Sequence, residues 1–156
     1  DRPLIPALLE NTKKLGLFSL THIPTNLFFM LVNGPRPVFA DKNSVVVTYP
    51  FVEADPWGMS LFVTSPYLFM FFRRRFGGRQ ILNLWLTILI VAVPIVTYFA
   101  IGYRQFGYRY ALDFWPWLFL VWLFSWKGRK ELSGRLKLLV VVSTMFNMFL
   151  FRGMVT

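Results

Sequence analysis

Cysteine is absent from the 156-residue chain and acidic residues are scarce, with seven aspartates and glutamates against seventeen lysines and arginines, and one histidine. Without cysteine the chain forms no disulfide and offers no thiolate ligand. A single histidine excludes histidine pairs with zinc spacing, and the sequence contains neither a glycine-rich phosphate loop nor a serine nucleophile elbow. We therefore expect no metal site and no cofactor.

Apolar residues are abundant instead. Hydrophobic residues make up 56% of the chain and aromatics 19%, and the mean hydropathy of +0.52 exceeds that of a soluble domain with a polar surface. The net charge of +10 is concentrated in short gaps between apolar runs, which indicates topology signals rather than a nucleic-acid surface. We predict a multi-pass protein of the cell inner (plasma) membrane with no nucleic-acid partner.

Four apolar runs predict membrane spans. The longest, Ile81 to Ile101, has 21 residues and no charge, and at about 1.5 Å per residue it covers a hydrocarbon core of about 30 Å. The three shorter runs need interfacial aromatics and snorkelling cations to reach both surfaces; they are Trp57 to Phe72, Ala111 to Trp126 and Leu136 to Phe151. The predicted fold class is all-α: a polytopic membrane protein with four to five transmembrane or interfacial helices.

The N-terminal segment, residues 1–56, is harder to assign. Its apolar run from Leu15 to Val32 is interrupted by three polar or helix-breaking residues, so it is either a fifth span or a helix in the outer interface. In the loop that follows, Val45 to Tyr49 predicts a short strand. Asp55 before Pro56 predicts a helix start there, since the pair matches an N-cap followed by proline.

Charge orients the predicted spans. The gap "RRRFGGR" at Arg73 to Arg79 and the gap "KGRKELSGRLK" at Lys127 to Lys137 lie on the same side of a four-span array formed by residues 57–151. The positive-inside rule makes that side cytoplasmic. The segment Gly102 to Tyr110 and a short tail, residues 152–156, are then outside.

A group of charges lies at the outer end of the third predicted span, in "YRQFGYRYALDFWPW". On an α-helix Arg109 and Asp113, four residues apart, share a face and can pair. A guanidinium binds phosphate oxygens through two parallel donors, and aromatic rings can flank an isoprenoid or acyl chain. This pattern predicts a lipid-phosphate site at Arg109 and Arg104, supported by Asp113, Tyr108 and Tyr110.

The alternative for this segment is an ordinary interfacial aromatic belt with a structural Arg109–Asp113 pair. Asp113 weighs against it, because an acid inside a span requires a partner or a water-filled cavity.

Four further residues are weaker candidates. His22 is either a proton carrier or, as we favour, a hydrogen-bonded structural group. Asp41, Glu53 and Asp55 are either general bases or, as we favour, solvated loop charges and helix caps.

The run "DPWGMSLFVTSPYLFMFFRRR", followed by a long span and then "QFGYRYALDFWPWLFLVWLF", resembles the C-terminal membrane region of bacterial polytopic glycosyltransferases of the C superfamily. Most of the resemblance lies in "FGYRYALDFWP", Phe106 to Pro116. The stretch "GLFSLTHIPTNLFFML", Gly16 to Leu31, is also similar to the segment that precedes the loop in that family.

The resemblance implies transfer of a sugar from a polyprenyl-phosphate carrier on the outer face, by an acidic base in the first outer loop near the family's N-terminus. We expect that base to lie upstream of Asp1, so that this chain alone is catalytically incomplete. What carries over is the carrier-phosphate role, at Arg109 and Arg104, with membrane lipids and polyprenyl-phosphate sugar as partners.

A second reading is a small accessory or structural subunit of a larger membrane complex, since six tryptophans and eighteen phenylalanines suit broad contact with other helices. Other membrane subunits are then its partners. A transporter or channel is a third reading, in which Asp113 supplies the acid within a span.

Overall fold

The computed structural model describes residues 10, 12–41, 43–73, 78–125 and 133–155. In these ranges the chain is mostly helical, and its α-helices are α1 (Ile23–Leu31), α2 (Leu61–Thr64), α3 (Arg79–Thr97), α4 (Trp115–Ser125) and α5 (Gly134–Val155). A hairpin of two strands lies between α1 and α2, formed by β1 (Arg36–Phe39) and β2 (Val47–Glu53). Short 3₁₀ helices cover Leu20–His22, Pro66–Arg73 and Arg109–Asp113.

Among the described residues, two helices are long and apolar enough to cross a membrane: α3, with 19 residues, and Gly134–Met154 of α5, with 21. At 1.5 Å per residue they are roughly 28 Å and 31 Å long. Only 11% and 17% of their most apolar windows are buried against the rest of the chain, so their side chains are free to face lipid. They correspond to the predicted spans Ile81 to Ile101 and Leu136 to Phe151.

Two other predicted membrane segments form shorter helices than expected. In place of one helix over Ala111 to Trp126, α4 has 11 residues and follows the 3₁₀ helix Arg109–Asp113. In place of one helix over Leu15 to Val32, α1 has nine residues. Helices of these lengths extend roughly 16 Å and 13 Å, so neither crosses a bilayer by itself.

The predicted span Trp57 to Phe72 is not one helix. The short helix α2 ends at Thr64, and Ser65 adopts φ −139° and ψ 65° before the 3₁₀ helix that Pro66 begins. A residue that precedes proline is disfavoured in the α conformation, because the proline ring clashes with its backbone. The sequence Ser65-Pro66 therefore breaks this segment.

The helix predicted to start at Pro56 begins later, at Leu61. The side chain of Asp55 accepts a hydrogen bond of 2.8 Å from the Trp57 N–H, which closes a turn rather than a helix. The helix cap is Ser60, whose Oγ accepts from the Val63 N–H at 3.3 Å.

The hairpin departs from the predicted all-α class. Its second strand overlaps the predicted strand Val45 to Tyr49 but extends to Glu53. Arg36 pairs with Glu53 and Phe39 with Val47, and a bulge separates the two paired regions.

Two buried clusters hold the described elements together. The larger joins α1, α3, α4 and the two later 3₁₀ helices through Met30, Leu68, Ile88, Tyr108, Ala111, Phe114 and Val121. The smaller joins the end of α5 to the base of the hairpin through Ala54, Met59 and Leu150.

The break at Ser65 also determines how α5 docks. Because the Leu68 N–H bonds to the Ser65 carbonyl, the Thr64 carbonyl has no helical partner at that position. Ser143 and Asn147, one turn apart on α5, donate to it at 3.0 Å and 2.7 Å. A neighbouring helix thus satisfies the backbone group that the break leaves free.

The predicted topology depends partly on residues 74–77 and 126–132, which lie outside the described ranges. Three basic residues within the described ranges occupy the first turns of the two long helices: Arg79 on α3, and Arg135 and Lys137 on α5. Which side of a membrane these ends face stays a prediction.

Candidate functional site

The segment that carries Arg109 is held by backbone pairing with the loop before α2. The Met59 N–H donates to the Phe106 carbonyl at 3.0 Å, and the Tyr108 N–H donates to the Met59 carbonyl at 3.1 Å. These two bonds form a short parallel bridge between Met59 and Gly107. Two segments distant in sequence, one at Met59 and one at Phe106 to Tyr108, are thus joined beside α2. We call these two paired segments the frame.

Gln105 fixes this frame from inside. Its side chain is buried, and Nε2 donates to the carbonyls of Trp57 at 2.7 Å and Ile101 at 2.6 Å. Its Oε1 lies 3.5 Å from the Arg109 backbone nitrogen. This single side-chain amide therefore links the loop before α2 at Trp57, the segment after α3 at Ile101 and the backbone of Arg109.

Two glycines make room for the Gln105 side chain. Gly58 has φ +94° and Gly102 has φ +90°, and a Cβ on them would lie 2.9 Å and 2.6 Å from Gln105 side-chain atoms. Both the backbone conformation and the space exclude other residues here.

A second buried amide joins this frame to α1 and α3. Asn26 of α1 accepts a hydrogen bond of 2.8 Å from the Tyr108 hydroxyl. Its Nδ2 lies 3.1 Å from the Val96 carbonyl and 2.7 Å from the Tyr98 carbonyl, so it satisfies acceptors at the C-terminal end of α3. Burial, and to a smaller extent the Tyr110 phenol, raises the pKa of Tyr108, which keeps its hydroxyl a donor.

A cleft of about 270 Å³ opens on this frame between α2 and α4. Its apolar wall includes Leu61, Phe106, Leu112 and Trp115, and its polar groups come from Thr64, Ser65, Gln105 and Arg109. No hydrogen bond engages the Ser65 hydroxyl in the part of the chain that the structure describes, so this group is available to a ligand.

Arg109 is exposed and lies at the start of the 3₁₀ helix that borders the cleft. The carbon of its guanidinium is 5.3 Å from the centroid of the Tyr110 ring. Within the described ranges it forms no ion pair, so the predicted pair with Asp113 is not formed. In a 3₁₀ helix three residues make a turn, and residue i+4 lies about 120° away from residue i; the pairing geometry of an α-helix does not apply.

The other predicted site residues are distributed unevenly. Tyr108 lines the cleft with Arg109, whereas Arg104, Tyr110 and Asp113 are not among its lining residues. Arg104 and Asp113 are exposed, and Tyr110 packs edge-to-face against Tyr98 and Tyr108, with centroids 6.1 Å and 5.9 Å apart. Arg104 also has φ +53°, an uncommon conformation for a residue other than glycine.

Asn26, Gln105 and Ser65 were not among the predicted site residues. A buried amide in an apolar segment is costly unless hydrogen-bonded, and Asn26 stands out in its apolar run for that reason. The partners of Asn26 and Gln105 are backbone carbonyls distant in sequence, and no local pattern identifies them.

His22 has a hydrogen-bond partner, as the interpretation of a structural histidine requires. Its Nε2 lies 3.3 Å from the Gly16 carbonyl. The ring also borders a separate cleft of about 320 Å³ with Asn26, Trp57 and two threonines.

Two of the three loop acids have structural partners. Glu53 pairs with Arg36 at 2.8 Å, and Asp55 closes the turn described above. Asp41 is exposed in the hairpin loop, where its backbone carbonyl, not its carboxylate, accepts from the Ser44 N–H at 3.0 Å.

The described residues contain no group of three or more histidines and acids able to hold a metal ion. Comparison of the sequence with family models and with curated proteins, and of the structure with solved structures, gave no match. The resemblance in sequence motifs therefore stays an expectation, and the site geometry carries the functional argument.

Proposed function

We propose that this chain is the membrane part of a glycosyltransferase-like protein of the inner membrane and binds a lipid phosphate, polyprenyl phosphate, in the Arg109 cleft. The observation that carries the proposal is an exposed arginine without an acidic partner among the described residues, at a cleft that also holds a serine hydroxyl and apolar walls. Arg104, on the loop outside the cleft, is left with at most a secondary role.

The chemistry of the cleft suits an amphiphilic anion. The guanidinium of Arg109 supplies a planar pair of donors for phosphate oxygens, and the Ser65 hydroxyl offers one further donor. Leu61, Leu112 and Trp115 provide the apolar surface that an isoprenoid chain requires. A free, water-soluble phosphate would use the hydrogen-bond donors but not the apolar surface.

Placement on a membrane protein is consistent with the two long apolar helices. Both α3 and α5 leave most of their surface uncovered by the described chain. A ligand that arrives through the lipid phase then reaches a cleft beside α4 without crossing bulk water.

The test is binding of a polyprenyl-phosphate analogue to the whole chain in phosphatidylcholine nanodiscs. Arg109→Lys should weaken binding about 10-fold or more, because an ammonium is a point charge that lacks the planar fork. Arg104→Lys is the matched control, an exposed arginine on the same loop but outside the cleft, and should change affinity less than about 3-fold, as expected for a weak surface charge contact.

If folded wild type and folded Arg109→Lys bind the analogue with equal affinity, then anchoring is a sufficient role for Arg109. An equal loss for both substitutions would indicate attraction by general positive charge and no defined site. Inorganic phosphate as a competitor separates the headgroup from the chain: weak competition supports recognition of the lipid.

A second candidate function is an accessory subunit of a larger membrane complex, favoured by the same uncovered faces of α3 and α5. Native mass spectrometry of gently extracted protein distinguishes the two. A stoichiometric membrane-protein partner together with no binding of lipid phosphate would favour the accessory subunit.

A further inference from the structure

The β1–β2 hairpin exposes more apolar surface than a solvated loop requires. In and next to β2, Val45 is 89% exposed, Tyr49 73% and Phe51 58%. Val46, Val47 and Phe39 are also exposed, at 64%, 42% and 47%. Contiguous exposed patches of this kind mark sites of interaction with a protein or a membrane.

Several of these side chains share one face of the hairpin. Phe39 and Val47 are directly paired across the strands, so their side chains point to the same side. Tyr49 follows Val47 by two residues and therefore shares that side. The rings of Tyr49 and Phe51 contact each other edge-to-face, with centroids 6.1 Å apart, so the face continues through the bulge.

The base of the hairpin is packed on the end of a long apolar helix. Leu150 of α5 is buried against Ala54 and Met59, and Met154 packs on the same cluster with Val52 of β2. A helix roughly 31 Å long that crosses a bilayer ends near a membrane surface. The hairpin is therefore held at the level where α5 leaves the hydrocarbon.

We infer that the face formed by Phe39, Val47, Tyr49 and Phe51 lies in the lipid interface at the C-terminal end of α5. Tyrosine and other aromatic residues are enriched at this depth, where ring and hydroxyl meet lipid and water. The charges at the base, Arg36 and Glu53, neutralise each other in a 2.8 Å pair, so the base does not select an acidic or a basic partner. The hairpin base packs on the end of α5, a helix whose apolar surface is mostly uncovered, and this placement favours lipid over a protein.

The absence of cysteine from the sequence permits a direct test with single spin labels on the whole chain in phosphatidylcholine bilayers. Tyr49→Cys carries the label on the apolar face, and Thr48→Cys, also exposed, carries it on the opposite face as the matched control. Val141→Cys on α5 is the reference for a lipid-facing position. Collision rates with oxygen, which concentrates in lipid, and with a water-soluble nickel chelate are measured at each site.

We expect the ratio of oxygen to nickel accessibility to be several-fold higher at Tyr49→Cys than at Thr48→Cys. The ratio at Tyr49→Cys should also be lower than the ratio at Val141→Cys. Equal ratios at positions 48 and 49, both typical of water, would overturn the inference. A label at position 49 that is immobilised and shielded from both reagents would also overturn it, because a protein or a second copy would then cover the face.

Discussion

The Tyr108 hydroxyl donates a hydrogen bond of 2.8 Å to Oδ1 of Asn26, a residue 82 positions earlier in the chain. Both side chains are buried. Because the Asn26 amide also reaches the carbonyls at the end of α3, this bond connects the segment that carries Arg109 to two helices at once. Loss of either partner leaves a buried polar group unsatisfied.

Tyr108→Phe should lower stability by about 1–3 kcal/mol, the cost of leaving the Asn26 carbonyl oxygen buried without a donor. The measurement is thermal or denaturant unfolding in a fixed detergent. Asn26→Leu should cost more, since it removes the donor to the α3 carbonyls as well.

Tyr103→Phe is the matched control, because Tyr103 is 53% exposed and its hydroxyl has no hydrogen-bond partner in the described ranges. A cost of Tyr108→Phe no greater than that of Tyr103→Phe would contradict the structural role of the bond. In the Asn26→Leu background, Tyr108→Phe should become nearly neutral, since its partner is gone.

The two long helices are predictable from the sequence because an uninterrupted apolar run is a local signal. The predicted spans Ile81 to Ile101 and Leu136 to Phe151 lie within a few residues of the observed ends of α3 and α5. The sequence predicts one span that continues across Pro66 with a kink, whereas the structure has a break after Thr64. Whether a proline within an apolar segment kinks or ends a helix depends on what satisfies the freed carbonyl, and that partner is on α5.

The site was predictable only in part for a related reason. Arg109 was identified from charge and aromatic neighbours, and the structure brings it to a cleft. Its expected pairing with Asp113 assumed an α-helix, and the segment forms a 3₁₀ helix instead. Gln105 gave no local signal, since the space for its side chain depends on Gly58 and Gly102.

Gly102→Ala should be strongly destabilising, by about 1–3 kcal/mol, because φ +90° is unfavourable for a residue with a Cβ. The new methyl would also lie 2.6 Å from Oε1 of the Gln105 side chain. Chemical unfolding of the variant measures the loss.

Gly134→Ala serves as the control, since a Cβ there meets no atom within 4 Å and the position begins α5. Alanine at that position should be neutral or slightly stabilising. If steric conflict with Gln105 contributes, Gln105→Ser should reduce the additional cost of Gly102→Ala; strict additivity of the two changes would argue against this contact.

The Thr64 carbonyl predicts a non-additive pair of mutations. Ser143→Ala or Asn147→Leu alone should cost less than about 1 kcal/mol, because the other side chain still donates to the carbonyl. The double substitution should cost more than the sum, since it leaves the part-buried carbonyl without either donor. The stability of the four proteins, compared in one detergent, gives the coupling.

Thr144→Val is the control on the same helix, because the Thr144 hydroxyl bonds to the Val140 carbonyl within α5 and is exposed. It should be close to neutral. Additive costs for Ser143 and Asn147 would show that the two side chains do not share the docking of α5.

The topology prediction depends on α4. A label at Tyr103→Cys should react from outside and one at Ser133→Cys from the cytoplasm, which requires one membrane crossing between them. The 3₁₀ helix Arg109–Asp113 at about 2.0 Å per residue and α4 at about 1.5 Å together extend roughly 26 Å, close to the hydrocarbon thickness when flanking residues are added.

Tyr103 is a better probe than Gly107, which is half-buried in the bridge with Met59. Labelling of both cysteines from one side would show that α4 enters the membrane and returns, and the positive-inside assignment of the gap before α5 would then be wrong.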